Sequence, residues 1–359
     1  MKRILSLLVI MVMACTLFLS GCTQAAATKV GFIYVGTIGD GGWTYAHNEG
    51  RLAIAKELKV PTIYTESVKE NQDVEKVIAD MVDQGCNIIF ATSFGYMDFV
   101  EKMAGKFPNV KFLHCSGYKT TANMSNYFGK IEEPRYLSGI VAGLKTKTNK
   151  IGYVAAFDIP EVVRGINAFT LGVQSVNPSA TVTVKWTKTW FDPAIEKEAS
   201  KTLLSEGVDI VAQHQDSSAA MLAAEEKGAF AVGYNTDMLK MAPKAHLTAP
   251  IWNWAPYYVD QVKQVQAGTW KSSSYWEGMK AKVVDLAPLS GNVTADAQAK
   301  VDAAKTKILD GSLNVFAGEI KDQSGAVKVA KGAVLSDKDQ LSMDWFVQGV
   351  VGKIEPKKQ

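Results

Sequence analysis

The sequence has 359 residues, of which 47% are hydrophobic, and its 39 Lys and Arg side chains nearly balance 36 Asp and Glu side chains. A chain of this length is long for one domain and comfortable for two. The formal net charge of +3 comes from interspersed acidic and basic residues, so no strong positive field indicates a nucleic-acid partner.

The chain begins with the pattern of a secretory leader. Lys2 and Arg3 precede an apolar run that ends in small residues. The run is marginally short for a transmembrane helix, and an uncleaved anchor helix is the alternative. It closes with "LSGC", which resembles a bacterial lipobox, and this resemblance implies acylation of Cys22. We therefore expect residues 1–21 to be a signal peptide and residues 22–28 to be a short tether to a membrane.

The next part of the chain alternates apolar runs with amphipathic helices. Predicted strands are 29–36, 60–67, 87–93 and 110–117, and predicted helices are 45–58, 71–85 and 97–108. Apolar runs of this length, separated by helical patterns, are typical of a parallel sheet with helices on both faces.

A second series of the same kind starts near residue 151, without a clear sequence repeat. Predicted strands are 150–157, 181–190, 208–215 and 230–235, and predicted helices are 160–178, 193–207, 218–228, 256–267 and 295–309. The sequence therefore predicts an α/β protein with two doubly wound lobes and a chain that crosses between them.

The lobes should be built from separate parts of the chain. We expect the N-terminal lobe to contain residues 29–142 and 250–285, and the C-terminal lobe to contain residues 143–249. Residues 286–359 should return across both lobes. Cys86 and Cys115 lie at the edges of predicted strands, where buried free thiols are a better interpretation than a disulfide.

Two such lobes enclose a cleft, and in open parallel sheets ligands bind beyond the carboxyl ends of the strands. The turns that follow the predicted strands are therefore the candidate ligand contacts. These turns are 39–43, 92–98, 115–118, 157–161, 189–192, 213–218, 234–237 and 252–254. Nearly every one carries an aromatic, an acidic or an amide side chain.

The same turns give little support to catalysis. "SFGYMD" lacks the glycines of a nucleophile elbow, and "GTIGDGG" lacks a phosphate-loop lysine and the dinucleotide-binding spacing. The four histidines include no i, i+4 metal pair. "HQD", residues 214–216, could hold a metal, but a polar loop contact is the better interpretation. We therefore predict no catalytic residue, no metal and no cofactor.

A planar, uncharged heterocycle fits these turns better, because aromatic rings stack on its faces while acids and amides pair with its edge. The candidate aromatic contacts are Trp43, Phe94, Tyr96, Trp190 and Trp252. The candidate edge contacts are Asp40, Asp98, His214, Asp216, Asn235, Asp237 and Asn253. Any single aromatic could instead pack in the core, and Asp40 or Asp237 alone could cap a helix.

The chain resembles the basic membrane protein (BMP) family, the purine-nucleoside-receptor-like lipoproteins that serve as substrate-binding components of ABC importers. The likeness extends over the mature chain and rests on "VGFIYVGTIGDGGWTYAHNEG", "NIIFATSFGY", "KIGYVAAFDIPEVVRGINAFTLGVQSVNP", "WFDPAIEKEAS", "GVDIVAQHQDSSA" and "GYNTDM". It implies two Rossmann-like lobes joined by a hinge, the type I periplasmic-binding-protein fold. It also implies a monomer outside the cytoplasm, held to a bacterial membrane by lipid, with a permease and an ATPase as partners.

The resemblance assigns roles to individual residues. Trp43 stands where the family has a phenylalanine that stacks on the base, and Asp40 matches an acid that reads the purine edge. Thr44 departs from the family's asparagine. Asp237 lies in the stretch that matches the "GVD-D" motif, and Asn235 replaces its first acid.

The largest departure from the family is "APIWNW", where nucleoside-binding members have a lysine near the ribose. Trp252 stands at about that position, so a ribose would lose a donor and meet an indole. Together with "TSFGYMD" and "QHQDS", this resembles a subgroup associated with free nucleobase, particularly adenine. The alternatives are a purine nucleoside-binding protein, a nucleoside-processing enzyme and a ligand-sensing receptor.

Overall fold

The computed structural model describes residues 27–355 of the chain. The predicted signal peptide and Cys22 lie outside this range. Both parallel sheets begin with strands that read as apolar runs, Val30–Ile33 in the first and Lys150–Ala155 in the second. All four residues of Val30–Ile33 are buried, as expected for a strand with helices on both faces.

The strands are β1 Val30–Ile33, β2 Thr62–Thr65, β3 Ile88–Ala91, β4 Lys111–Cys115, β5 Met124–Gly129, β6 Lys150–Ala155, β7 Thr181–Trp186, β8 Ile210–His214, β9 Phe230–Val232, β10 His246–Thr248, β11 Pro250–Trp252, β12 Ser274–Glu277, β13 Val284–Leu286, β14 Ile320–Lys321, β15 Val327–Val329 and β16 Val350–Val351. The α-helices are α1 Trp43–Leu58, α2 Asp73–Asp83, α3 Met97–Lys106, α4 Glu132–Lys145, α5 Pro160–Val176, α6 Pro193–Ser205, α7 Ala219–Glu226, α8 Ala255–Gln266, α9 Ala295–Asp310 and α10 Asp337–Leu341.

The strands form two six-stranded parallel sheets, which confirms the predicted two-lobe α/β architecture. The first sheet has the order β12-β5-β4-β3-β1-β2, and the second has the order β10-β9-β8-β6-β7-β16. We call the parts built on these sheets the first lobe and the second lobe. Strands β11 and β13 form a short antiparallel pair, and so do β14 and β15.

The chain crosses between the lobes at several points. Helix α4 follows the first sheet but packs closely along α5 of the second lobe. Glycines make this approach possible, because a Cβ built on Gly139 would lie 2.1 Å from the carbonyl oxygen of Phe169. The later strand β12 returns to the first sheet, and β16 returns to the second.

Several elements were not predicted. They include strands β5 and β12, helices α4 and α10, and the strands β10 and β11 within the stretch 246–252. The boundaries of the lobes stay a prediction. Cys86 and Cys115 are buried as free thiols and lie in different hydrophobic clusters.

Candidate ligand-binding site

A small cavity lies between the carboxyl ends of the two sheets. The first lobe contributes the loops after β1, β3 and β4, and the second lobe contributes the start of α5 and the loops after β7, β8 and β9. The residues that line the cavity are Val35, Trp43, Ser93, Ser116, Glu161, Trp190, His214, Asp216 and Tyr234. Four of the residues predicted as ligand contacts are therefore together: Trp43, Trp190, His214 and Asp216.

Trp43 forms the aromatic wall of the first lobe. Its indole nitrogen donates to the carbonyl of Thr92 at 2.7 Å, so its one polar group is already satisfied. Trp252, Trp254 and His47 lie edge-on to it, with ring centroids 5.6, 6.1 and 4.3 Å away. Held in this way, Trp43 can offer an incoming ligand an apolar aromatic surface.

Asp40 precedes Trp43 and holds the first turn of α1. Its carboxylate accepts hydrogen bonds from the backbone amides of Gly42 at 2.8 Å, Thr44 at 2.9 Å and Tyr45 at 3.0 Å. These are donors that a helix leaves unpaired at its start. Asp40 therefore acts as a helix cap, and its contact with a ligand stays a prediction.

The second lobe supplies aromatic rings to the opposite side of the cavity. Trp190 packs edge-on against Phe157, with ring centroids 5.1 Å apart. Tyr234 is fully buried, and the guanidinium carbon of Arg135 lies 3.7 Å from its ring centroid. Arg135 also donates to the carbonyl of Gln213 at 2.7 Å. This hydrogen bond holds Arg135 in place against the ring of Tyr234.

The polar groups of the second-lobe wall are arranged around His214. Burial, together with the positive charge of Arg135, lowers the pKa of His214 to about 4, so the imidazole is neutral at physiological pH. Its Nε2 lies 3.5 Å from Oε1 of Glu161. The other carboxylate oxygen of Glu161 accepts a hydrogen bond from Ser116 of the first lobe.

Asp216 is the most deeply buried acid of the cavity. Its Oδ1 accepts a hydrogen bond from the amide of Asn235 at 3.3 Å. Burial, followed by the nearby negative charges of Asp40 and Glu196, raises the pKa of Asp216 well above its usual range. The cavity thus combines an acid that favours its neutral form with a neutral histidine.

The two lobes touch each other beside this acid. Thr236 donates from its hydroxyl to the carbonyl of Gly41 at 2.5 Å. A Cβ built on Gly42 would lie only 2.3 Å from the carbonyl oxygen of Asp216, so only glycine allows this approach. The structure therefore shows the lobes closed over the cavity.

Two non-glycine residues at the site have left-handed backbone conformations. Ser116 has a φ of 72° and Asn235 a φ of 71°. Such conformations cost free energy for most side chains and occur often at ligand sites, where the surrounding structure holds them. Both residues make side-chain hydrogen bonds to acids of the cavity wall.

Other residues predicted as contacts lie away from the cavity wall. Tyr96 is buried and donates to the carbonyl of Val68 at 2.6 Å, on the core side of its turn. Phe94 precedes it in a short 3-10 turn and is half-buried. Asp98 is exposed and forms an ion pair of 3.0 Å with Lys119.

Three further predicted contacts lie behind the cavity wall or at the protein surface. Trp252 is buried behind Trp43. Asp237 is exposed and lies 3.9 Å from Nε2 of His246. Asn253 is exposed and donates to the carbonyl of Lys282 at 3.0 Å. A role in binding stays a prediction for each of the three.

The structure adds five residues that were not predicted as contacts. They are Val35, Ser93, Ser116, Glu161 and Tyr234. The last four lie within turns that the sequence had identified as candidate contacts. Tyr234 and Glu161 carry the aromatic and acidic groups expected of a contact, whereas the residue types of Val35, Ser93 and Ser116 carry no such signal.

Two other properties bear on the kind of site. Among residues 27–355, no group of three or more His, Cys, Asp and Glu side chains is arranged to hold a metal ion. The helices of that same range include none with both the length and the apolar character needed to cross a bilayer.

Comparison with known proteins identifies the family. Residues 27–317 match the Bmp family model, described as ABC transporter substrate-binding protein PnrA-like. The chain belongs to this family, whose members are binding proteins rather than enzymes and act outside the cytoplasm.

Individual relatives agree with this assignment. A purine-binding protein of Brucella abortus is 45% identical over 91% of this chain and 93% of its own length. A putative ABC transporter glucose-binding protein of Haloferax volcanii is 38% identical over 93% of this chain and 83% of its own length.

A solved ABC transporter solute-binding protein of Aeropyrum pernix has a TM-score of 0.71 at 19% identity, covering 82% of this chain and 93% of its own. This structural likeness confirms the predicted type I periplasmic-binding-protein fold.

Proposed function

We propose that this ABC transporter substrate-binding protein binds a purine, and adenine in particular, in the cavity between its lobes. The observation that carries the proposal is the composition of the cavity wall. Aromatic side chains come from both lobes, whereas no Lys or Arg is among the nine lining residues. A flat and uncharged ligand suits such a wall.

The wall of the cavity favours a free base over a nucleoside, because its aromatic rings suit a flat base. Stacking of a base on an aromatic side chain contributes about 1–3 kcal/mol. The hydroxyls of a ribose would need further polar partners, and burying each without one costs about 1–3 kcal/mol.

The relative from Brucella abortus supports the purine, because that protein is named a purine-binding protein and is 45% identical to this chain. The relative from Haloferax volcanii is named for glucose. Nothing in the cavity wall favours a sugar over a base. Glucose is nevertheless a useful control ligand.

Calorimetric titration tests the proposal. Adenine should bind at least about ten times more tightly than adenosine, and glucose should not bind. Trp43→Ala and Trp190→Ala should each weaken the binding of adenine by about tenfold or more. Trp270→Ala is the matched control, because Trp270 packs on Gln261 and Lys111, at the opposite end of the first sheet.

Three other results would each indicate a different function. Adenosine binding as tightly as adenine would identify a nucleoside-binding protein. Glucose binding with no purine binding would contradict the proposed ligand class. Conversion of adenosine during an overnight incubation would support the alternative of a nucleoside-processing enzyme.

We further propose that Cys22 is acylated and anchors the chain to the outer face of a bacterial membrane, where it delivers ligand to the permease and ATPase of an importer. The support is the "LSGC" motif that ends an apolar leader. Cys22→Ala should remain an unprocessed, unacylated precursor by mass spectrometry. A mature, acylated Cys22→Ala protein would contradict the anchor.

A further inference from the structure

The hydrogen bonds behind Asp216 have a fixed direction. The indole nitrogen of Trp252 can only donate, and it lies 3.0 Å from Oδ1 of Asn235. The amide of Asn235 must therefore present its NH₂ group to its other neighbours. Two acceptors receive it at 3.3 Å, the carbonyl of Gln215 and Oδ1 of Asp216.

This chain of donors distinguishes the two oxygens of Asp216. Oδ1 is held as an acceptor by Asn235. Oδ2 accepts no hydrogen bond from residues 27–355, and Asp216 lines the cavity. If the carboxyl group carries a proton, Oδ2 is the oxygen that holds it and can donate it to a ligand.

Several acids surround Asp216, while the cation of the second-lobe wall, Arg135, lies against Tyr234 and donates to the carbonyl of Gln213. Asp40 approaches from the first lobe, Glu161 from the start of α5 and Glu196 from α6. His214, on the strand that precedes Asp216, is neutral because its burial lowers its pKa to about 4. Burial and these like charges together disfavour ionisation of Asp216.

We propose that Asp216 acts as a neutral carboxylic acid that donates a hydrogen bond from Oδ2 to an unprotonated ring nitrogen of the ligand. The inference rests on the proposed purine site. It defines the ligand class more narrowly, as a heterocycle with a ring acceptor on the edge that faces Asp216. An ionised carboxylate has no donor and could not make this contact.

The first test needs no ligand. A group whose pKa is raised by folding keeps its proton in the folded state and loses it in the unfolded state. Its contribution to stability is therefore full below the unfolded pKa and is lost as pH rises toward the folded pKa. The unfolding temperature of Asp216→Asn should therefore rise relative to that of the wild type as pH increases from 5 to 9.

Asp302→Asn is the control for this test, because Asp302 is an exposed acid on α9 that accepts from Gln298. Its unfolding temperature should follow the wild type at every pH. A constant difference between Asp216→Asn and the wild type would show that Asp216 is ionised throughout, and would overturn the proposal. This result does not depend on whether a purine binds.

The second test uses adenine as the probe. Wild-type affinity should fall as pH rises, by up to about tenfold per pH unit above the pKa of Asp216. An amide keeps a donor where the acid has its hydroxyl. Asp216→Asn should therefore bind adenine without this pH dependence, and more tightly than wild type at high pH. Asp216→Ala should bind adenine about tenfold or more weakly than the wild type does at low pH.

Deazaadenines locate the contact. In 1-, 3- and 7-deazaadenine one ring acceptor is replaced by C–H, and one of these analogues should bind about tenfold or more weakly than adenine to the wild type. The same analogue should bind Asp216→Ala almost as tightly as adenine binds that variant. Wild-type affinity that rises with pH, or equal affinity for all four bases, would overturn the proposal. If the wild type binds no purine, the proposed function fails, and the unfolding test still decides the protonation of Asp216.

Discussion

Trp252 replaces the ribose-side lysine of nucleoside-binding relatives, according to the sequence resemblance, and the structure places it inside an aromatic cluster. Its ring stacks on Trp254 with centroids 4.7 Å apart and an interplanar angle of 11°. It also lies edge-on to Trp43 and Phe128, and its nitrogen bonds Asn235. The indole at this position therefore supports Trp43 and orients the amide behind Asp216, whether or not it also excludes a ribose as predicted.

The role of Trp252 in ligand choice can be tested with a smaller ring. Trp252→Phe keeps an aromatic side chain but vacates part of the indole's volume. The preference for adenine over adenosine, which we expect to be about tenfold or more in the wild type, should shrink toward unity in calorimetric titrations. Trp254→Phe makes the same change one ring further along the stack, and should keep the wild-type preference. An unchanged preference in Trp252→Phe would show that Trp252 does not exclude ribose.

At the scale of elements, the start of α1 is the part on which the first-lobe wall depends. Asp40 caps this helix through three backbone amides and is itself buried. Helix α6 in the second lobe starts in a similar way, because Asp192 accepts from the amides of Ala194 and Ile195, both at 3.1 Å. The two caps differ in number of bonds and in exposure, and so allow a matched comparison.

Asp40→Ala should lower the free energy of unfolding by about 2 kcal/mol, and Asp192→Ala by about 1 kcal/mol. The larger effect is expected for Asp40 because its amide partners would be left unpaired inside the protein. Urea unfolding followed by circular dichroism measures both. Equal losses would show that water replaces the Asp40 carboxylate without cost.

Sequence patterns identified most elements of both sheets and most of the turns around the cavity. Strand β5 was missed because "MSNYFG" has no alternation or long apolar run, and its pairing with β12 joins residues that are 148 positions apart. Such pairings depend on the assembled fold.

The sequence did not show which residue of each turn faces the cavity. In the turn after β9, the sequence indicated Asn235 and Asp237, whereas Tyr234 lines the cavity. Asn235 has a positive φ of 71°, which redirects the chain at that point. In the turn after β4, Ser116 likewise has a φ of 72°. A local backbone conformation of this kind cannot be read from residue types alone.

At the scale of the whole molecule, closure depends on the close approach of Gly42 to the loop that carries Asp216. Gly42→Ala should prevent it, because the added methyl would lie 2.3 Å from the Asp216 carbonyl oxygen. We expect adenine affinity to fall by about tenfold, corresponding to the 1–3 kcal/mol typical of overpacking. Gly39→Ala is the control, since a Cβ built there meets no atom within 4 Å.

Small-angle scattering shows whether the loss comes from closure. The radius of gyration of the wild type and of Gly39→Ala should decrease when saturating adenine is added, and that of Gly42→Ala should decrease less. If the wild type keeps the same dimensions with and without adenine, ligand binding does not close the lobes.

The last strand, β16, has a consequence for how this chain can be shortened. It covers the outer edge of the second sheet through its pairing with β7, and the segment before it satisfies Asn167, which bonds the backbone of Trp345 and Val347. The family match ends at residue 317. A chain cut there would expose the backbone donors and acceptors of β7 to any other extended chain, and would leave Asn167 without partners. We therefore expect this segment, which lies outside the match to the family, to prevent self-association through an open edge of the second sheet.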